Sequence, residues 1–198
     1  TPVISSAASD VYKRQGRNAF AIGADLTSTA ECKKVVKEVI NKWNRLDILD
    51  NNIGIASNTS VVNENERYWD KVMNINLKPM FLMSKYSIPA MINSGNGGVI
   101  INISSISATR PKGYTSYSAS KGAVISLTKA MAVDHGTDGI RVNCILPGPV
   151  YTPMVYQDGM SEKLRKIRKN ASLLNVEGDG FDIGKAVVYL SSNWAKYI

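Results

Sequence analysis

Apolar residues alternate along the chain between short runs typical of buried strands and longer stretches with helical spacing. Runs without a polar face are typical of parallel sheets that helices cover on both sides. The predicted strands are 19–22, 46–49, 99–103 and 140–146. The predicted helices are 64–75, 76–93, 116–135 and 160–170, with one more after Ser28 and a last one marked by Ile183, Ala186, Val187 and Leu190.

The helix after Ser28 carries the clearest local signals. Ser28 and Glu31 have the spacing of a capping box, in which each residue satisfies the backbone N–H of the other. Apolar residues then recur at i, i+3, i+4 and i+7, which predicts one buried face. That face consists of Val36, Val39, Ile40 and Trp43.

Alternating strands and helices predict an α/β fold. Its form is a Rossmann-like, doubly wound parallel sheet in a three-layer αβα arrangement. Ligands of such sheets bind at the carboxyl ends of the strands, near the point where the strand order reverses. Candidate chemistry is therefore sought directly after each predicted strand.

Composition narrows the classes of function. The 198 residues are 44% hydrophobic and 20% charged, as in ordinary soluble globular proteins, and the length fits one domain. The net charge of +8 is spread along the chain, without the interleaved aromatic and basic residues of single-strand binders. No apolar run approaches the length of a membrane span. We therefore expect no nucleic-acid partner and no membrane partner.

Cysteine and histidine are too few for a metal site. Cys32 and Cys144 form no CxxC pair, so neither a structural zinc nor a disulfide framework is predicted, and a reducing cytoplasm is the expected location. His135 is the only histidine, so a multi-histidine site is excluded. It would have to serve any Ser-His-Asp triad, yet it lies in what looks like a solvated helix end.

An ordered set of motifs stands at the strand ends and helix starts. They are Asp25-Leu26, Asn51-Asn52-Ile53-Gly54, Ile75-Asn76-Leu77, Ser104-Ser105, Tyr117-x-x-x-Lys121 and Pro147-Gly148-Pro149-Val150-Tyr151-Thr152. In this order the set resembles the short-chain dehydrogenase/reductase family. The resemblance covers about residues 16 to 198.

The resemblance implies an NAD(P)-dependent oxidoreductase that interconverts an alcohol with a ketone or aldehyde by hydride transfer. It implies Tyr117 as general acid/base, and Lys121 as the residue that lowers the tyrosine pKa and binds the nicotinamide ribose. Ser105 would hydrogen-bond the substrate oxygen, and Asn76 would hold a water that links Lys121 to solvent. The spacing agrees, because residues four apart share a helix face and a nearby ammonium favours a phenolate.

The same resemblance implies contacts to NAD or NADP. They are Asp25, Leu26, Asn52, Ile53, Gly54, Pro147, Gly148, Val150 and Thr152, besides Tyr117 and Lys121. The neighbourhood of Asp25 would meet the adenine. Asn52 would fix the end of the sheet, and Gly54 would let the backbone approach the cofactor. Val150 and Thr152 would hold the carboxamide.

The two ends depart from the family pattern. Residues 1–15 are expected to be a non-native leader, which leaves 16–198 as a partial NAD(P)-binding domain with the catalytic residues. No GxxxGxG turn occurs, so the first βαβ unit is expected to be missing. The last predicted helix is followed by no closing strand and no Val-Asp-Gly-Gly-like ending, so the last strand is expected to be missing as well. If the family's strands are numbered along the chain, they lie in the sheet in the order 3-2-1-4-5-6-7. Without the first βαβ unit and the last strand, strands 4, 5 and 6 are expected to form the core. The fragment alone is expected to be inactive, and its parent a homo-tetramer or homo-dimer with a small-molecule substrate.

Several alternatives stay open. Ser104 competes with Ser105, Asn51 and Asn52 could be turn residues only, and the basic helix 160–170 could be a solvated face rather than a guide for anionic substrates. The competing function is a non-catalytic NAD(P)-binding regulator on the same fold. Such proteins usually lose the Tyr/Lys pair, which this chain keeps.

Overall fold

A computed structural model describes residues 16, 18–111, 113–156 and 159–198. Its α-helices are α1 (Thr29–Trp43), α2 (Glu66–Asn76), α3 (Lys78–Asn93), α4 (Thr115–His135), α5 (Pro153–Tyr156), α6 (Glu162–Asn170) and α7 (Gly180–Ser191). Its strands are β1 (Ile48–Asn51), β2 (Gly98–Ile103), β3 (Ile140–Ile145), β4 (Val150–Tyr151) and β5 (Gly178–Asp179). The predicted leader at 1–15 lies outside the described residues and stays a prediction.

The main sheet is parallel and has the order β1-β2-β3. Ile48 of β1 lies opposite Val99 of β2, and Gly98 of β2 lies opposite Ile140 of β3. These are the strands predicted at 46–49, 99–103 and 140–146, and they lie side by side in the predicted order. The short strands β4 and β5 pair with each other in a second parallel sheet.

Helices cover both faces of the main sheet. Ile140 and Val142 of β3 pack in one buried cluster with residues of α3 and α4. Side chains alternate between the faces of a strand, so Arg141 and Asn143 point the other way. Arg141 donates to the carbonyl oxygen of Leu190 in α7 at 2.8 Å. The three-layer αβα prediction is therefore confirmed.

The predicted strand at 19–22 does not form, and residues 18–25 have no regular secondary structure. A strand needs a neighbour for its backbone hydrogen bonds, and none of the described strands lies beside this segment. Instead, the Phe20 ring packs edge-on against Trp43 with centroids 5.0 Å apart. Trp43 was predicted to be buried. It is 40% exposed at the end of α1, even with the Phe20 ring against it.

Only half of the predicted capping box forms at the start of α1. Ser28 Oγ accepts a hydrogen bond from the Glu31 N–H at 3.4 Å. The N–H of Ser28 donates instead to the carbonyl oxygen of Asp25 at 3.0 Å, because the turn before the helix brings this oxygen close. The remaining helix and strand predictions agree with the structure to within about two residues at each boundary.

In the part of the chain that the structure describes, no helix is both long and apolar enough to cross a lipid bilayer. Over the same residues, no group of three or more histidine, cysteine, aspartate or glutamate side chains could hold a metal ion. The cytoplasmic location stays a prediction.

Candidate active site

Tyr117 and Lys121 lie on one face of α4, close to its first residue. Lys121 Nζ is 5.9 Å from the centroid of the Tyr117 ring. The lysine side chain is buried, and Nζ donates to the carbonyl oxygen of Ile103 at the end of β2, at 2.8 Å. Helical spacing and the neighbouring strand end together fix the ammonium beside the phenol.

Burial changes the proton affinity of Lys121. Desolvation disfavours the charged form, and this lowers the pKa of Lys121 to about 8. The ammonium has three N–H donors, and Ile103 takes one of them. Within the described residues the other donors have no acceptor, so this side chain can bind a polar ligand and exchange a proton near neutral pH.

Asn76 joins the loop after β1 to α4. It is fully buried at the end of α2, where its Oδ1 accepts from the Ile55 N–H at 2.7 Å. Its Nδ2 donates to the Ile55 carbonyl oxygen at 2.9 Å and to Ser120 Oγ at 3.0 Å. A Cβ added to Gly54 would stand 3.3 Å from both Asn76 Oδ1 and Lys121 Nζ. The structure thus brings Gly54, Asn76 and Lys121 together.

We expect Asn76→Ala to lower the free energy of unfolding by about 1–3 kcal/mol, because it leaves the partly buried N–H and C=O of Ile55 without partners. Urea denaturation of the purified protein measures the change. Asn74→Ala is the matched control, since Asn74 lies on the same helix and is exposed. Equal losses in the two variants would contradict the bridging role of Asn76.

The two serines after β2 have different partners. The Ser104 hydroxyl donates to the carbonyl oxygen of Lys121 at 2.7 Å, so it binds the backbone of α4. Ser105 Oγ accepts from the Ser107 N–H at 3.1 Å, and its own hydrogen has no acceptor among the described residues. Ser105 is therefore the serine with a donor to spare.

Asn51 and Asn52 also divide in an unexpected way. Asn51 is buried, and its Nδ2 donates to Asn102 Oδ1 at 2.8 Å. Asn102 in turn donates to Thr128 Oγ1 at 2.9 Å, which links β1, β2 and α4. Asn52 is exposed. The hydrogen bonds that fix the end of the sheet are thus made by Asn51, where they were expected of Asn52, and the contact of Asn52 with the cofactor stays a prediction.

Three of the predicted cofactor contacts line one cavity of about 70 Å³ beside β1: Leu26, Asn52 and Ile53. Pro79 and Met80 of α3 form its opposite wall. Asp25 lies next to it and is exposed. Hydrogen bonds from the N–H and hydroxyl of Thr27 lower the pKa of Asp25 below its usual value. The carboxylate is therefore the form present near neutral pH.

The remaining predicted contacts follow β3. The carbonyl oxygen of Pro147 accepts from the Ile106 N–H at 2.9 Å, next to Ser105, whereas Gly148 is exposed. Val150 belongs to β4, and its carbonyl oxygen accepts from Arg168 of α6 at 3.0 Å. Thr152 follows β4. Within residues 113–156, no hydrogen bond connects Val150 or Thr152 with Tyr117 or Lys121.

Sequence reasoning missed three polar residues around Tyr117. Ser120 accepts from Asn76 and donates to the Tyr117 carbonyl oxygen at 2.7 Å. Ser120 follows Tyr117 by three residues, so helical spacing alone places the two residues on the same face of α4, and this could have indicated Ser120. Ser57 and Glu64 also contact the start of α4, but nothing in their sequence neighbourhood indicates it.

These residues fit a nicotinamide dinucleotide. Gly54 leaves open the space that a Cβ would fill beside Asn76 and Lys121. The buried ammonium has spare donors for ribose hydroxyls, and the cavity at Leu26 and Ile53 has apolar walls suited to a purine. When bound, the cofactor supplies or accepts a hydride, and the protein provides its binding and orientation.

Comparisons with known proteins identify the family. A family model described as enoyl-(acyl carrier protein) reductase matches residues 4–198. The chain is 35% identical over 187 residues to 3-oxoacyl-[acyl-carrier-protein] reductase FabG of Staphylococcus aureus, covering 94% of this chain and 75% of that protein. The enzyme of the same name from Thermotoga maritima is 34% identical over 175 residues, covering 88% and 70%.

A solved structure matches as well. The crystal structure of a protein described as a short-chain dehydrogenase/reductase from Burkholderia xenovorans superposes with a TM-score of 0.91 at 31% identity. The match covers 97% of this chain and 75% of that chain. Family model, relatives and fold agree with the ordered motifs at the strand ends. The chain belongs to the short-chain dehydrogenase/reductase family of NAD(P)-dependent oxidoreductases.

Proposed function

We propose that this protein reduces the ketone of a 3-oxoacyl thioester to an alcohol, with NADPH or NADH as the hydride donor. The observation that carries the chemistry is the pairing of Tyr117 with the buried ammonium of Lys121. The substrate class rests on the relatives named 3-oxoacyl-[acyl-carrier-protein] reductase. The broader activity is the interconversion of an alcohol with a ketone or aldehyde.

Tyr117 is the proposed proton donor in reduction and the proton acceptor in oxidation. A phenol with a pKa near 10 is a weak base at neutral pH. The ammonium of Lys121, 5.9 Å from the centroid of the Tyr117 ring, would stabilise the negative charge on the phenol oxygen once its proton has left. The proton leaves the Tyr117 hydroxyl for the substrate oxygen as that oxygen becomes an alcohol.

Ser105 and Asn76 are proposed to support this transfer. The unpaired hydrogen of the Ser105 hydroxyl is available to the substrate oxygen, where negative charge develops. Asn76 fixes the loop at Gly54 against α4 and would order a water between Lys121 and solvent. The cofactor contacts are proposed at the residues predicted above, with Leu26, Asn52 and Ile53 on the adenosine side.

We expect Ser105→Ala to lower kcat about 100-fold, because it removes a donor to the developing oxyanion. Ser104→Ala is the matched control. It should lower the free energy of unfolding by about 1 kcal/mol through loss of the bond to the Lys121 carbonyl oxygen, with a much smaller change in kcat. Steady-state kinetics and urea denaturation separate the two effects. A larger kcat loss in the Ser104 variant would assign the role to that serine.

The proposed function is tested by mixing the parent protein with NADPH or NADH and a short 3-oxoacyl thioester, and following the loss of reduced nicotinamide. Simple ketones and aldehydes form the comparison panel. Turnover of the thioester above the panel supports the proposal, whereas a preference for a simple ketone would refute the substrate class. Cofactor binding without turnover of any compound would favour the non-catalytic regulator.

Two further expectations remain proposals. The parent protein is expected to be a homo-tetramer or homo-dimer, and the chain as given is expected to be inactive, so the kinetic experiments on variants of this site are made in the parent protein. Size-exclusion chromatography with light scattering measures the first, and the turnover assay measures the second. A soluble, monodisperse sample that reduces a carbonyl compound would overturn the second expectation.

A further inference from the structure

The start of α4 is capped by residues far away in the sequence. Tyr114, at the N-cap position, provides no side-chain hydrogen bond. The first three N–H groups of the helix donate instead to a segment more than fifty residues upstream. These bonds run from Thr115 N–H to the Thr59 carbonyl oxygen (3.1 Å), from Ser116 N–H to Glu64 Oε2 (3.3 Å) and from Tyr117 N–H to Ser57 Oγ (3.2 Å).

The side chains of Ser57, Ser116 and Glu64 form a chain of hydrogen bonds beside the first turn of α4, and Glu64 is its final acceptor. Ser116 Oγ lies 2.8 Å from Glu64 Oε2 and 2.8 Å from Ser57 Oγ. A hydroxyl has one hydrogen and a carboxylate only accepts, so the Ser116 hydroxyl donates to Glu64 and accepts from the Ser57 hydroxyl. Ser57 Oγ then remains free to accept from the Tyr117 N–H. The hydroxyls of Ser116 and Ser57 are both satisfied only while Glu64 Oε2 is an acceptor.

The carboxylate is the form that this site favours. The hydroxyl of Thr59 and then the hydroxyl and N–H of Ser116 lower the pKa of Glu64 below its usual value. Thr59 Oγ1 and Glu64 Oε1 themselves lack a well-aligned partner, so the Ser116 bonds are the firmer contacts. A negative charge at the first turn of a helix also interacts favourably with the helix dipole.

We infer that Glu64, acting through Ser116 and Ser57, is a positioning residue that fixes the first turn of α4 and therefore the placement of Tyr117. Ser57 lies two residues after Ile55, and the side chain of Asn76 binds both the N–H and the carbonyl oxygen of Ile55. The cap thus joins the loop expected to meet the cofactor to the residue expected to transfer the proton. The inference deepens the proposed function and rests on it for the role of Tyr117.

Amide hydrogen exchange tests the cap without any turnover. In Glu64→Ala, the Ser116 and Tyr117 amides should exchange about 5- to 30-fold faster, as expected for loss of a helix cap. Amides in the middle of α4 should keep their rates. Glu64→Gln retains an acceptor oxygen and should restore most of the protection. Glu66→Ala is the control, since Glu66 is exposed at the start of α2. Unchanged exchange at both amides in Glu64→Ala would overturn the inference.

Turnover then separates positioning from simple stabilisation. Glu64→Ala should lower kcat about 10- to 100-fold, because small misplacement of a catalytic group has effects of this size. The KM for the nicotinamide cofactor should change less than threefold. Glu64→Gln should recover most of kcat, and Glu66→Ala should match the unmodified protein.

The outcomes distinguish this inference from the proposed function. An unmodified protein without turnover, but with faster exchange in Glu64→Ala, would refute the reaction and keep the cap. An active protein whose kcat is unchanged in Glu64→Ala would keep the reaction and refute the positioning role. A loss of kcat that Glu64→Gln does not recover would also refute the inference, since the acceptor oxygen would then not be what matters.

Discussion

Replacing Tyr117 with Phe should lower kcat by about 10²- to 10⁴-fold, which is the usual contribution of one general acid or base. The substitution removes only the hydroxyl. The N–H bond to Ser57 and the edge contact with Tyr114, at a centroid distance of 6.4 Å, do not need that oxygen. We therefore expect the melting temperature to stay close to that of the unmodified protein. Steady-state kinetics and thermal unfolding measure the two quantities.

Tyr114→Phe is the matched control for this experiment, because it removes a phenol oxygen from the neighbouring ring. It should change kcat by less than threefold. If Tyr117→Phe retained most of its turnover while Tyr114→Phe lost it, Tyr114 would be the proton donor. If both variants kept their turnover, the acid–base role of tyrosine would be refuted in this protein.

Replacing Lys121 with Met should also abolish most of the turnover, by about 100-fold or more, because the phenol oxygen of Tyr117 loses the positive charge that would stabilise it as the proton leaves. The same change should alter how stability depends on pH. The pKa of Lys121 is about 8 in the folded protein, against 10.5 for an unperturbed lysine. Between these pH values the unfolded chain binds more protons than the folded chain. The contribution of Lys121 to stability therefore rises as the pH rises through this range.

The magnitude follows from the same two values. Below pH 8 lysine is charged in both states, and its burial costs about 3 kcal/mol of folding free energy. Above pH 10.5 this cost disappears. The difference in unfolding free energy between Lys121→Met and the unmodified protein should thus shift by about 3 kcal/mol, in favour of the unmodified protein, from pH 7 to pH 11.

Urea denaturation of both proteins at a series of pH values measures this difference. Comparing the two proteins at each pH cancels the titration of all other groups, and Lys129→Met, at an exposed position of the same helix, controls for the loss of one surface charge. A difference that does not change with pH would show that the ammonium is not desolvated by the fold.

The sequence was most informative where a local pattern by itself determines the structure. Helical spacing placed Tyr117 and Lys121 on one face, and the apolar run 99–103 indicated a strand buried on both sides. It was least informative where the partner of a residue is distant. The run 19–22 has the composition of a strand, but a strand exists only beside another strand, and β1, β2 and β3 leave it none.

The serine and asparagine pairs show the same limit in the site. Nothing in Ser104-Ser105 or Asn51-Asn52 indicates which member faces the protein interior. Only the tertiary structure shows Ser104 bound to the backbone of α4 and Asn51 bound to Asn102. In both pairs one residue is used by the fold, and the other, Ser105 or Asn52, is the one proposed to meet a ligand.

By itself, the sequence determined the α/β fold class and the family and gave a set of candidate site residues, because these depend on periodicity and on the order of short motifs. Only the tertiary structure decided which hydroxyl is free, how deeply Lys121 is buried and what caps α4. Glu64 lies 53 residues before Tyr117, and no local pattern connects them. Hydrogen bonds and desolvation act through space, so they are settled only when the chain has folded.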